Sequence, residues 1–83
     1  MMPILGDNII VIDFNGINDL PIYRETTVIW VEGQKLYIDH PIVDIMGDIC
    51  NIFSEEDYQI GWFTLDEKLP KMNELIEKIA NIE

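Results

Sequence analysis

The chain has a single cysteine, a single histidine and only five basic side chains in 83 residues. With Cys50 alone, no intramolecular disulfide can form, and a reducing, cytoplasmic setting is expected rather than secretion. No apolar run approaches the roughly 20 residues that a membrane span requires. Met1 to Gly6 carries no basic residue, and Asp7 interrupts its apolar run, so this stretch is not read as a signal peptide. Repeats and low-complexity stretches are absent. The chain also lacks a Gly-rich phosphate loop, a G-x-S-x-G turn and an H-E-x-x-H helix, which removes the common catalytic signatures.

The shortage of Lys and Arg is uneven. Residues 1–67 hold thirteen acids against Arg24 and Lys35, whereas Lys68, Lys71 and Lys78 balance Glu74, Glu77 and Glu83. The net charge of −11 therefore belongs to the first four-fifths of the chain. Such a field repels phosphate and anionic lipid and attracts cationic surfaces. Direct nucleic-acid binding is excluded, because stacking surfaces on sheets need Lys and Arg around their aromatics.

With 48% hydrophobic residues, the chain has material for one thin core. A domain of this size buries about 60–65% of the surface that its unfolded chain exposes. Residues 1–83 are read as one domain. Asn8 to Phe14 is β-branched on both faces, as a central strand would be. Thr27 to Glu32 and Lys35 to Asp39 flank Gly33-Gln34, a two-residue turn that suits a type II′ hairpin. That turn sets Glu32 against Lys35, Val31 against Leu36, Trp30 against Tyr37 and Ile29 against Ile38. One face of the hairpin is then aliphatic (Ile29, Val31, Leu36, Ile38). The other carries Trp30 beside Tyr37.

From Pro41 to Phe53 the apolar residues Ile42, Ile45, Met46, Ile49, Ile52 and Phe53 recur at intervals of three and four. This predicts an amphipathic helix, capped by Asp39 or His40 and bearing an opposite stripe of Asp44, Asp48, Asn51 and Glu55. Glu55-Glu56-Asp57 reads as a solvated turn, and Tyr58 to Thr64 as a further strand. A second helix begins near Pro70, burying Met72, Leu75, Ile76 and Ile79. The expected fold is α+β: a small two-layer sandwich of a mainly antiparallel four-stranded sheet, two helices on one face, in the order β-β-β-α-β-α.

Two helices roof only one side of such a sheet, which leaves the Trp30–Tyr37 side bare. That pair is either a contact surface or a cross-strand pair that steadies the hairpin, and the two roles are compatible. The acidic stripe is either a solvated helix face or a surface that occupies a basic groove; carboxylates at i and i+4 lie about 6 Å apart, near the spacing of nucleic-acid phosphates. His40 with Asp44 and Asp48 has metal-ligand character, but a cap or surface role fits these residues better, and no metal or cofactor is expected. Cys50, without a basic neighbour, reads as a packed thiol. Asp13 reads as a surface or edge residue.

In size, charge and layer architecture the chain resembles the immunity and inhibitor proteins that block nucleases, and phage-encoded anti-defence proteins. The resemblance extends to no motif, so it carries over no functional residue. It implies a non-catalytic acidic protein that binds and blocks a basic protein surface, possible partners being a nuclease or another nucleic-acid-binding protein. The residues expected to do so are Trp30, Tyr37, Asp39, Asp44, Asp48, Glu55, Glu56 and Asp57. Two alternatives remain: a homodimer joined through the bare sheet face, and a small enzyme or ligand-binding domain using Asp13, His40 and Tyr58.

Overall fold

Asn8–Asp13 forms strand β1, and its apolar residues do divide between two sides. Ile9 and Val11 enter one hydrophobic cluster, while Ile10 and Ile12 enter another. The computed structural model describes residues 2–82, apart from the side chains of Asp19 and Ile82. Within that range β1 is followed by β2 (Ile22–Glu32), β3 (Lys35–Val43), β4 (Ile49–Ser54), β5 (Trp62–Thr64) and helix α1 (Met72–Ile82). The strands make one antiparallel sheet in the order β4-β3-β2-β1-β5, so β1 is interior. The fold is α+β, a curled five-stranded sheet with one helix.

The hairpin forms at Gly33-Gln34. Gly33 has φ +61 and Gln34 has no positive φ, the combination of a type II′ turn. Glu32 pairs with Lys35, Val31 with Leu36 and Trp30 with Tyr37, as the turn dictates. The register then shifts, and Ile38 meets Val28 instead of Ile29. Ile29 is the extra residue of a β-bulge, which turns it out to solvent and brings Val28 into the core. The bulge bends the long strand β2, which pairs with β1 along its first half and with β3 along its second. The curl of the sheet follows from this bend. Inside it lie Ile9, Val11, Val28, Leu36, Ile38, Ile42, Phe53 and Trp62, drawn from all five strands.

The segment from Pro41 to Phe53 is not helical, which corrects the sequence reading. It is the end of β3, a turn at 44–48, and β4. Gly47 sits at φ +84, outside helical space. The Asp44 side chain accepts the backbone N–H groups of Met46 (2.9 Å) and Asp48 (3.0 Å), closing the turn. Asp44 N–H in turn donates to the Asp48 carbonyl at 2.9 Å. Five β-branched residues (Ile42, Val43, Ile45, Ile49, Ile52) favour strands over helix here. Pro41 is tolerated because Ile38 to Pro41 bulge opposite Asn51 alone, between the pairs Tyr37–Ile52 and Ile42–Cys50. Asp39 and His40 therefore lie in a strand bulge and cap no helix.

The last strand is shorter than Tyr58–Thr64. Gln59 takes φ +65, and residues 59–61 form a turn that delivers Trp62 to β5. Trp62 is fully buried, and its indole N–H donates to the Ser54 carbonyl at 2.9 Å. Helix α1 forms where the sequence places it. It buries Leu75 and Ile79 against Ile12 of β1 and Phe63 of β5, with Met72 packed beside them. The Tyr23 hydroxyl donates to the Pro70 carbonyl at 2.6 Å, holding the approach to the helix. One helix, not two, covers the sheet, and it does so over β1 and β5.

Candidate protein-binding surface

The antiparallel registers of β2, β3 and β4 align Trp30, Tyr37 and Ile52 directly across three strands. The next row inward along the chain, Val31, Leu36 and Phe53, points into the curl. Because side chains alternate, Trp30, Tyr37 and Ile52 stand on the outer face. Helix α1 packs on β1 and β5 and does not reach them. The N-terminal arm does not cover them either. Gly6 and Asp7 bond to the backbone of Val28, and Met2 packs on the inner cluster. Trp30 is left 55% exposed and Ile52 41%, with Tyr37 half-buried between them. Glu32, Lys35 and Ser54 form the neighbouring row on the same face.

Ile52 is also one wall of a groove of about 360 Å³. β4 contributes Cys50, Ile52 and Phe53; the opposite wall is Ile12 and Phe14 at the end of β1 with Ile79 of α1. The groove is the seam between the two hydrophobic clusters, since Ile42 and Phe53 belong to one and Ile12 and Ile79 to the other. Its apolar lining is bounded by three carboxylates: Asp44 in the turn before β4, and Glu56 and Asp57 in the 3-10 turn that follows it. β4 thus runs between negative charges at both of its ends. Asp57 spends one oxygen on the Ser54 N–H (2.9 Å) and hydroxyl (3.2 Å), which caps that turn. Glu56 makes no side-chain hydrogen bond among the described residues.

Of the eight residues expected to bind a partner, Trp30 and Tyr37 lie together, and Asp44, Glu56 and Asp57 come together at the groove. The regular stripe of Asp44, Asp48, Asn51 and Glu55 does not exist, because it required a helix. A phosphate-like ladder of carboxylates is lost with it. Asp39, Asp48 and Glu55 are exposed but separate from the groove lining. Cys50 is half-buried in β4, its thiol donating to the Ile52 carbonyl at 3.1 Å.

Two polar clusters escaped the sequence reading. Asp13 is buried, not a surface or edge residue. It accepts the N–H of Asn15 (3.0 Å), the N–H of Val43 (3.1 Å) and the Arg24 Nε–H (2.9 Å). Burial works to raise the pKa of this carboxyl, but the two backbone donors and the guanidinium outweigh it and leave it below the ordinary value. Glu67 accepts the Thr64 N–H (2.9 Å), the Thr64 hydroxyl (2.7 Å) and the Gln59 amide (3.1 Å). Burial again opposes, yet donation from Tyr58, Thr64 and Gln59 brings Glu67 down to about 2. The same carboxylate raises the Tyr58 hydroxyl above its ordinary value. The Asp13 cluster joins residues up to thirty positions apart, whereas Glu67 gathers partners from the preceding nine residues, around β5, in no spacing that a motif would announce.

Asp13, His40 and Tyr58 are not brought together. Asp13 is held by Arg24 and Val43, His40 is exposed in the β3 bulge, and Tyr58 packs on Trp62 with the rings tilted by 42° and their centroids 4.7 Å apart. A second cleft of about 340 Å³ includes Tyr58, Thr64 and Asp66 but neither Asp13 nor His40. Among the described residues no three His, Cys, Asp or Glu side chains converge as a metal site would require. No described helix is long and apolar enough to cross a membrane. Comparison with family models, with curated proteins and with solved structures gave no match to this chain.

Proposed function

We propose that this protein is a non-catalytic binder of a basic protein surface, acting by occupying that surface as inhibitor, immunity and anti-defence proteins do. The observation that carries the reading is the outer row Trp30–Tyr37–Ile52 continuing through Ile52 into an apolar groove with carboxylates at its ends. Apolar area of this kind supplies affinity, and Trp and Tyr are frequent hot-spot residues. The surrounding field of a chain with net charge −11 speeds encounter with a cation-rich partner and disfavours nucleic acid and anionic membrane.

The test is capture of binding proteins from the source cell on the immobilised wild-type chain and on a Trp30→Ser variant. The expected result is one or a few partners with a basic surface. Their binding falls at least tenfold between about 50 and 300 mM salt, as the Debye length shortens. Trp30→Ser weakens the capture. Partners that are acidic, or binding indifferent to both salt and Trp30, overturn the reading.

A further inference from the structure

β4 is the last strand of the sheet on its side, with β3 as its one ladder partner. The hairpin turn determines which of its backbone groups are used. In a two-residue hairpin the flanking pair, Glu32 and Lys35, exchanges hydrogen bonds, so Lys35 directs its N–H and C=O toward β2. Leu36 then directs its own toward β4 and meets Phe53. By the same alternation, Ile52 and Ser54 turn their backbone groups to the free margin.

Those of Ser54 are occupied. Its N–H goes to Asp57 and its C=O receives the Trp62 indole. Those of Ile52 are not: the carbonyl takes only the Cys50 thiol, a weak donor, and no other side chain bonds this backbone among the described residues. Open donor and acceptor groups on an edge strand are a template for another strand. Ile52, whose backbone turns to this margin, lines the apolar groove, and the side chains that guard edge strands, charged residues and Pro, are missing from β4. β4 (Ile49–Ser54) has no Lys, Arg, Pro or charged residue, and Ile49 is 80% exposed.

We propose that an extended segment of a basic protein partner adds to the sheet along β4, through the backbone of Ile52, and fills the groove with its apolar side chains. This rests on the preceding reading and specifies its mode. Strand addition supplies affinity through main-chain hydrogen bonds and specificity through alternate side chains. The six residues of β4 span about 17–20 Å at about 3.3 Å per residue, so a segment of similar length reaches from Asp44 to Glu56. Its central alternate side chains enter the seam between Phe53 and Cys50 on one side and Ile12 and Ile79 on the other. Its ends meet Asp44, and Glu56 with Asp57, which selects Lys or Arg there. A second copy of this chain is the wrong occupant. Antiparallel pairing of two β4 edges sets the Asp44 end of one against the Glu56 and Asp57 end of the other, between molecules that each carry −11.

The probe is an acetylated, amidated peptide Lys-Ile-Thr-Val-Thr-Ile-Lys, titrated into the full isotope-labelled chain and followed by amide shifts and amide exchange. Expected is saturable binding, shifts at residues 50–53, Ile12 and Ile79, and at least tenfold slower exchange of the Ile52 N–H. N-methylation of the central valine, or Glu in place of both Lys, weakens binding tenfold or more. So does the chain variant Glu56→Lys, whose fold is checked by its unchanged spectrum elsewhere. Shifts confined to Trp30 and Tyr37, or equal binding by the N-methylated peptide, overturn strand addition while leaving a basic partner in place. Failure of the peptide alongside salt-sensitive capture of a basic protein does the same. Failure of both removes the reading and the inference together. Protection of the Ile52 amide that rises with protein concentration alone identifies a second copy as occupant and overturns the basic segment.

Discussion

Asp13 accepts the backbone N–H of Val43 at 3.1 Å, fastening the end of β1 to the end of β3 across thirty residues of sequence. Phe14 N–H returns a bond to the Val43 carbonyl at 2.8 Å, so the corner is tied twice. Removing the carboxylate leaves two backbone donors and a guanidinium without their acceptor. Asp13→Ala is expected to lower unfolding free energy by about 2–3 kcal/mol, the scale of charge-assisted bonds. Arg24→Ala is expected to cost about 0.5–1 kcal/mol, since its side chain is 41% exposed and solvent screens the pair. Urea unfolding of the two variants measures the difference; equal losses would show that the guanidinium, not the backbone, sets the strength of the corner.

Glu67 gives a pH signature. Its folded pKa, about 2, lies below that of an unfolded Glu, so its contribution is full above the unfolded value near 4.5 and vanishes as pH falls through 2. Glu67→Gln should therefore be less stable than wild type by about 1 kcal/mol at neutral pH, a figure reduced for the solvent around this carboxylate. The gap should close below about pH 4.5 as the unfolded glutamate protonates. Chemical unfolding at pH 7 and pH 3 checks this; a gap unchanged with pH would refute it.

Gly47 separates the observed turn from a helix by sign. In a helix Gly47→Ala would stabilise by about 0.5–1 kcal/mol. At φ +84 an L side chain is strained, and the same change is expected to destabilise by about 1 kcal/mol or more. A thermal melt decides between them.

Core and surface should part cleanly along neighbouring rows of the sheet. Leu36→Ala empties a fully buried site and should cost about 2–5 kcal/mol. Trp30→Ser, one row away and largely exposed, should cost about 1 kcal/mol or less, the value of a cross-strand pair. Its effect should appear instead as weaker partner binding, read by the salt-controlled capture described above.

Local chemistry made much of this legible. Gly33-Gln34 fixed a turn whose register ran true for three pairs, and the spacing of Met72, Leu75 and Ile79 located α1. The misreading at Pro41–Phe53 arose because a strand, a five-residue turn and a second strand happened to place apolar residues three and four apart. Gly47 and the density of isoleucine were the contrary signals, since both disfavour helix. The bulge at Ile29 had no such signal. It depends on how β2 must bend to serve two ladders, which is a property of the closed sheet. Tyr58 and Glu67 meet across β5 and the turns on either side of it, a local approach that no residue spacing announced. The bare aromatic side was expected because two helices would roof one face, whereas a single helix over β1 and β5 leaves it bare; the groove was not foreseen, because its lining comes from β1, β4 and α1, which are far apart in sequence.

The undefended margin of β4 has a colloidal consequence. At neutral pH mutual repulsion between strongly anionic molecules keeps such margins apart. As acid titrates the carboxylates, that barrier disappears while the isoleucines and open amides persist. Clouding or fibre formation near the isoelectric point should begin at this strand, and a lysine in place of Ile49 should delay it.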